Sequence, residues 1–485
     1  MKFNYRVILF IIGLLLIFNG LFMLLAAAVS IYYWEVEWVN MLLAAGINIG
    51  VGGLLWLTNR NNENKELKRR EGYLIVSGGW IIMSLFGALP FVLSGAIPNM
   101  TDAVFETISG YSTTGASILI DIEAQSKGIL FWRSMTQWIG GMGIIVLAVA
   151  ILPILGIGGM QLFVAEAPGI SPDKLKPRIK ETAKRLWYVY IGLTLIETVL
   201  LMLGDMSFFD AINHSLTTMA TGGFSTKNAS IAAYNSSYIE YVIIIFMFLA
   251  GMSFTLSYFG FKAKFAKIWE NEEFRIYLYI TLFSASVVTL GLLLTEDIGV
   301  AKSVRDALFQ VVSIITTTGF ATADYTIWTP FLTLFFFMLL FVGGMAGSTA
   351  GGVKIVRHTI LFKNSILEIK RQLHPSAIIP VRLNKKAVPR DITYNILAFL
   401  MIYLTIFAIG TMLLTMTGMD FDTSLGAAAT SLGNVGPGIG DVGPANNFSA
   451  LPDTAKWILG FLMLLGRLEL FTVLILLSPY YWRAY

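Results

Sequence analysis

Apolar residues run along this chain in long blocks separated by short polar connections. Ten blocks are close to the ~20 residues that a helix needs to cross a hydrocarbon core. They fall at about 7–31, 40–57, 73–96, 128–155, 187–204, 238–261, 276–295, 328–362, 394–416 and 455–478, the eighth being interrupted. The pattern predicts an all-α integral membrane protein. A signal peptide's apolar region is about 7–15 residues long. The first block is longer, so it reads as a span that stays.

Four of the connections repeat one another. They read DAVFETISGYSTTGAS from Asp102, DAINHSLTTMATGGFS from Asp210, DALFQVVSIITTTGFA from Asp306 and DTSLGAAATSLGNVGPG from Asp422. Each opens on Asp, a good helix N-cap, and runs through semi-polar residues to a glycine. Gly115, Gly223, Gly319 and Gly436 lie 13, 13, 13 and 14 residues after their Asp. Self-similarity at a fixed period outweighs any single motif. The predicted unit is span, short helix, glycine loop, span. The chain divides into an N-terminal two-helix extension (1–72) and four repeats (73–173, 174–264, 265–372 and 373–485).

A helix of this length cannot cross a bilayer. It can dip in if protein buries it, and the irregular backbone after it is tolerated only against protein or a watery cavity. Helix C-termini carry about −0.5 of a charge, so four of them meeting on one axis favour a cation. Glycine allows backbone angles that aim carbonyls at that axis, and carbonyl rings replace the hydration shell of K⁺ in selectivity filters. The candidate ion-binding residues are Thr113, Thr114 and Gly115; Thr221, Gly222 and Gly223; Thr317, Thr318 and Gly319; and Asn434, Val435 and Gly436. The fourth loop has fewer hydroxyls, so its expected contribution is mainly backbone.

Composition agrees with the class. The chain is 56% hydrophobic and 13% charged, against roughly 25% charged in soluble domains. It has no Cys, which excludes disulfides and thiolate metal sites, and its three His do not cluster. Charge then sets the sidedness. With the N-terminus inside, segments 1–6, 58–72, 174–186, 262–275, 354–390 and 479–485 hold 27 of the 34 Lys and Arg. That asymmetry predicts both termini in the cytoplasm, so the four repeated connections face outside. Lys174–Arg185 and Lys354–Arg390 then form basic inner surface.

The interruption in the eighth span reads GGMAGSTAGGVKI, Gly343–Ile355. A phosphate-binding loop would need Lys and Ser or Thr directly after the second glycine. Here Val353 displaces Lys354, and Ile355 stands where the hydroxyl should be. Each glycine costs a helix about 1 kcal/mol against alanine, so this density breaks the span. Broken backbone belongs in a cavity, which places it beneath the glycine loops as a gate. Gly343, Gly344, Gly347, Gly351 and Gly352 give the turns, and Ser348 and Thr349 bond freed backbone groups. Arg467, about halfway along the last span, is a functional charge by default and is expected to bond this loop. Glu469 is two positions away and would not face it on a helix. Glu106 is expected to bond neighbouring loops rather than ions.

At these residues the chain resembles the Trk/Ktr/HKT superfamily of K⁺ transport proteins, and in particular its bacterial Trk-type members. The likeness covers the whole chain, including the N-terminal pair. It implies one pseudo-fourfold K⁺ pore per subunit with Gly343–Gly352 and Arg467 as its gate. It implies a homodimer in the bacterial inner membrane, with a TrkA-like cytoplasmic ring of nucleotide-binding regulatory subunits. Gly115, at a position where Ser accompanies Na⁺ permeation in the family, implies K⁺ preference. The likeness further implies K⁺ as the transported ion, with no organic cofactor and no nucleic acid. Two other classes fit the residues less well. A K⁺ symporter coupled to Na⁺ or H⁺ would favour inverted repeats, whereas these all enter from one side. An intramembrane serine protease would need Ser and His facing each other within the spans, and only His214 lies near them.

Overall fold

The computed structural model describes residues 3–60, 69–146, 175–374, 377 and 379–483. Two long helices come first, α1 (Tyr5–Tyr32) and α2 (Trp38–Asn59). Gly13 and Gly52 let their backbones touch: a Cβ on either would lie 2.7 Å from the other's carbonyl oxygen. Small residues at the contact are how helices associate without a hydrophobic driving force. A buried pair, Asn19 Nδ2 to Asn48 Oδ1 at 3.1 Å, fixes their register. The Tyr111 hydroxyl donates to Asn19 and ties this extension to the first repeat.

The first repeat contains α3 (Arg69–Gly87), α4 (Leu89–Ser94), the short helix α5 (Met100–Tyr111) and α6 (Lys127–Val146). The second contains α7 (Leu175–Leu203), short α8 (Phe208–Met219), α9 (Ser237–Gly251) and α10 (Phe254–Phe261). After α11 (Phe265–Trp269), the third contains α12 (Glu272–Thr295), α13 (Val300–Ile315), α14 (Pro330–Leu339) and α15 (Ile355–Leu373). Among the described residues, a hairpin of β1 (Arg382–Leu383) with β2 (Lys386–Ala387) departs from an all-helical chain. Then come α16 (Arg390–Thr415), short α17 (Phe421–Gly433), α18 (Asp453–Arg467), α19 (Leu470–Leu477) and α20 (Pro479–Trp482).

Six described helices are long and apolar enough to cross a membrane, and two bent pairs pass together. The end of the expected span 128–155, part of the segment 58–72 and the boundary at 173/174 lie outside the described residues.

Two expectations need correction. The repeated Asp residues do not cap their helices: the side chains of Asn99, Ser207 and Asp420 cap α5, α8 and α17, and α13 starts without a side-chain cap. A polar residue just upstream reaches the free N–H groups first and leaves the Asp carboxylates for other work. Asp102 pairs with Lys456 at 2.6 Å, and Asp210 accepts from Thr226 Oγ1 at 2.6 Å.

The spans at 238–261 and 455–478 are not continuous. α9 and α10 meet at 116°, and α18 and α19 at 118°. The first break is matched by bonds to the glycine stretch: Met345 N donates to Gly251 O at 2.9 Å and Phe254 N to Gly347 O at 3.1 Å. The second is at Glu469, whose φ is +62°.

Arg467 is therefore the last residue of α18, at the bend about halfway along this broken span. There it meets the negative end of its own helix.

Candidate functional site: a ring of glycine loops over a broken helix

Each short helix ends in the same turn. Thr113, Thr221, Thr317 and Asn434 take left-handed φ values of 52°, 53°, 58° and 53°. Non-glycine residues rarely adopt this region, Asn being the most tolerant. The next residue's N–H returns to the helix: Thr114 to Ser109 O, Gly222 to Thr217 O, Thr318 to Ser313 O and Val435 to Thr430 O, at 2.8–3.0 Å. This is a Schellman-type helix end with threonine or asparagine where glycine is usual. Then Gly115, Gly223, Gly319 and Gly436 turn left-handed again, with φ of 85°, 76°, 84° and 98°.

The four turns close a ring in chain order. A Cβ added to Gly115 would run into the carbonyl oxygen of Gly222, one on Gly223 into that of Thr318, and one on Gly319 into that of Val435; one on Gly436 would lie 2.9 Å from that of Thr114. Neighbouring loops therefore meet backbone to backbone, with the Pro437 ring also 2.9 Å from where a Gly319 Cβ would lie. The turns send N–H groups back into the helices and leave carbonyls over. Among the described residues, the carbonyls of Thr113, Thr114, Thr221, Thr317, Thr318, Asn434 and Val435 accept no hydrogen bond. Buried carbonyls without donors are uncommon, and a ring of them suits a desolvated cation. A small cavity opens on one side of the ring, lined by all four glycines and by the residues after them.

Three of the loop hydroxyls have partners within their own turns. Thr114 Oγ1 is bonded to Ser112 and Thr318 Oγ1 to Thr316, at 2.7 and 2.8 Å. Thr221 Oγ1 donates to Ala220 O at 2.6 Å. The fourth loop adds a side-chain tie beyond its backbone: Asn434 Nδ2 donates to Thr114 Oγ1 at 3.0 Å and to Met463 O at 2.9 Å.

The glycine stretch occupies the gap between α14 and α15 and meets the ring from the helix-end side. Gly351 N donates to Thr317 Oγ1 at 2.6 Å, Gly352 N to Gly433 O at 2.9 Å, and Thr349 Oγ1 to Met219 O at 3.0 Å. Gly343 and Gly352 pass so closely that a Cβ on Gly352 would lie 2.7 Å from the Gly343 Cα. Gly344 O accepts from Ile355 N at 3.0 Å, closing the loop across its base. Ser348 Oγ donates to Met345 O at 2.6 Å. Gly347 O accepts from α10 as noted above. Arg467 is 6% exposed and donates to Thr349 O at 2.7 Å. Glu469 instead pairs with Arg357 in the first turn of α15, at 2.6 Å.

Several contributors were not visible as such in the sequence. Gln137 on α6 donates to Gly222 O at 2.6 Å and accepts from Phe224 N at 3.1 Å. Arg133, one turn earlier, pairs with Glu106 at 2.6 Å and donates to Ser225 O at 2.9 Å. Glu273 on α12 accepts from Ala346 N at 2.7 Å. Gln137 and Arg133 share one signal, a polar residue inside an apolar span, which is costly and by default functional; Glu273, in the charged first turn of α12, carries none. Among the described residues no group of His, Cys, Asp and Glu could hold a metal, so a cation here would meet backbone carbonyls.

Multiple spans around a ring of backbone carbonyls define a membrane protein built to handle a bare cation. The chain belongs to the TrkH family of cation transport proteins, whose model matches residues 39–483. It is similar to the Trk system potassium uptake protein TrkH of Halomonas elongata, 40% identical over 99% of each chain. The protein of the same name from Escherichia coli K12 is 41% identical over 99% of this chain and all of its own. The crystal structure of the potassium transporter TrkH from Vibrio parahaemolyticus matches with a TM-score of 0.91 at 38% identity. That match covers 99% of this chain and 100% of that one.

Proposed function

We propose that this chain takes up K⁺ across the bacterial inner membrane through one gated pore per subunit. The ring selects K⁺, and the stretch Gly343–Gly352 with Arg467 closes the path beneath it. The observation that carries the reading is the fourfold left-handed backbone signature with its unpartnered carbonyls. The division into an N-terminal pair and four pore repeats, with both termini cytoplasmic, belongs to the same reading.

Two partners complete it. Subunits pair as a homodimer, and a cytoplasmic ring of nucleotide-binding, TrkA-like subunits docks on the basic surface. α15 supports such coupling because it starts at the glycine loop and ends in basic sequence, with Lys370 and Arg371 in its last turn.

The test is current through purified protein in planar bilayers under ion gradients. Reversal at the K⁺ Nernst potential supports a channel. Reversal that moves with an imposed Na⁺ or H⁺ gradient identifies coupled transport instead. Adding ATP, ADP or NADH in the presence of the co-purified ring should change the current.

A further inference from the structure

Counting back nine positions from each ring glycine gives Glu106, His214, Gln310 and Ala427. All four are buried, at 0%, 0%, 1% and 0% exposure. In three repeats the residue at this position does one job: it reaches past the ring and holds the outgoing limb of the loop. Ser117, two after Gly115, donates its hydroxyl to Glu106 Oε1 at 2.9 Å, and Ile118 N donates to Oε2 at 2.8 Å. Ser225, two after Gly223, meets His214 Nε2 at 2.9 Å. The other ring nitrogen, Nδ1, faces Asp210 O at 2.8 Å and must donate there. Nε2 therefore accepts, and the Ser225 hydroxyl donates. Thr322, three after Gly319, accepts from Gln310 Nε2 at 3.4 Å. The fourth repeat has Ala427 and no hydroxyl to hold. Its loop is held instead by Thr430 Oγ1 of the same short helix, which donates to Gly436 O at 2.9 Å, and by the Tyr325 hydroxyl, which donates to Gly438 O at 2.8 Å.

We propose that Glu106, His214 and Gln310 are positioning residues for ion selection. Each is a strut that keeps its loop from closing in on a smaller ion, and the fourth loop is held by other bonds. The physical logic is that a K⁺-sized ring favours K⁺ only while its carbonyls resist moving inward; Na⁺ needs them nearer. A side-chain hydrogen bond at each outgoing limb supplies that resistance without touching the ion. The second loop is held most firmly, since Arg133 and Gln137 grip the backbone at Ser225, Gly222 and Phe224 in addition. The proposal rests on the ring being the selectivity filter.

The test uses the full chain in proteoliposomes, reading Rb⁺ uptake against competing K⁺ and Na⁺. The ratio of half-inhibiting concentrations is independent of how much protein is active. The variants are His214→Leu, Gln310→Leu, Ser225→Ala and Thr322→Val. Ser225→Ala and Thr322→Val remove only a partner hydroxyl and leave the pore helices intact. Glu106 is spared, because its loss would strand Arg133 as a buried unpaired charge. K⁺ preference over Na⁺ is expected to fall about fivefold in each variant, the scale of one net hydrogen bond, with Rb⁺ uptake retained. His214→Gln, which can still meet Ser225, should recover most of the ratio. Gly319→Ala serves as the direct filter variant. If it shifts the ratio while all four strut variants match the parent, the strut proposal is wrong and the filter reading stands. If Gly319→Ala also leaves the ratio unchanged, the filter reading itself fails.

Discussion

The ring and the broken helix beneath it are both built from glycine, yet they are opposite kinds of structure. The ring repeats one backbone device four times, and each copy is pressed against the next so closely that no Cβ fits between. The broken helix occurs once. It is held by scattered hydrogen bonds to α8, α9, α10, the third and fourth ring turns, α12 and α18. Redundant, tightly packed backbone resists deformation and suits discrimination between ions of different size. One loop on several scattered bonds can leave at modest cost, since each net hydrogen bond is worth only ~1 kcal/mol. On the proposed reading, selection and gating are separated by how many times the chain writes the motif.

The largest expected effect comes from removing the single-copy element. Deleting Gly347–Gly351 takes out the bonds to Thr317 and Met219 but leaves the four ring turns intact. Arg467→Ala removes the charge held against Thr349 O. Each should raise K⁺ flux about tenfold, the equivalent of a ~1.4 kcal/mol barrier, with K⁺ preference kept. Combined, they should be less than additive because the groups touch. Rb⁺ uptake at matched protein amount is the measurement. A fall in flux from well-folded protein would make the stretch part of the conduction path.

Next in size is a change to the repeated element. Gly115→Ser puts a side chain at φ +85°, facing Gly222 O. A left-handed conformation costs an L-residue ~1–2 kcal/mol before any clash. The ring should loosen, with K⁺ preference over Na⁺ falling severalfold while flux persists. A permeability ratio equal to the parent would remove Gly115 from the filter.

A smaller effect is expected at the second point where α18 and α19 grip the third repeat. Arg357 pairs with Glu469 and lies over the Phe399 ring, 3.9 Å from its centroid. Glu469→Gln should raise resting flux about threefold, since partly exposed pairs are worth ~1 kcal/mol or less. Exchanging the two charges, Arg357→Glu with Glu469→Arg, should bring flux back toward the parent. Flux in the exchanged protein no nearer the parent than in the single variant would show that the pair holds nothing.

The smallest effect is at the cap of the fourth short helix. Asp420 accepts from Thr423 N at 3.0 Å, and this bond holds its carboxyl below the usual carboxylate range. A depressed value means that the cap's stabilisation is present above the ordinary aspartate pKa and is lost as pH falls through the lowered one. Asp420→Ala should cost ~1 kcal/mol, read as a fall in Tm in detergent at neutral pH. The difference from the parent should shrink in acid.

Much of this architecture is legible in the residue order, for an identifiable reason. Span length, the position of a helix-breaking glycine cluster and a motif repeated at nearly fixed spacing are all local properties. A chain needs only its own sequence to obey them. The break at Gly343–Gly352 was therefore readable, because glycine acts on its own backbone. The breaks at Met252 and Glu469 are not, since neither carries a cluster of glycines and partners elsewhere compensate the lost helix bonds. Glu469, unlike a glycine, is held left-handed only by its surroundings.

The tertiary structure alone decided which residues meet. Asn434 bonds Thr114 across 320 positions, Arg467 bonds Thr349 across 118, Arg357 bonds Glu469 across 112, and Gln137 bonds Gly222 across 85. No periodicity encodes such pairs. They exist because four similar units close into a ring, and closure brings the end of the fourth against the start of the first. The sequence by itself determined four nearly equal units and one broken span. Their differences, an asparagine tie in one and a glutamine grip in another, acquire a role only when the ring shuts and each loop must pack against its neighbour's backbone.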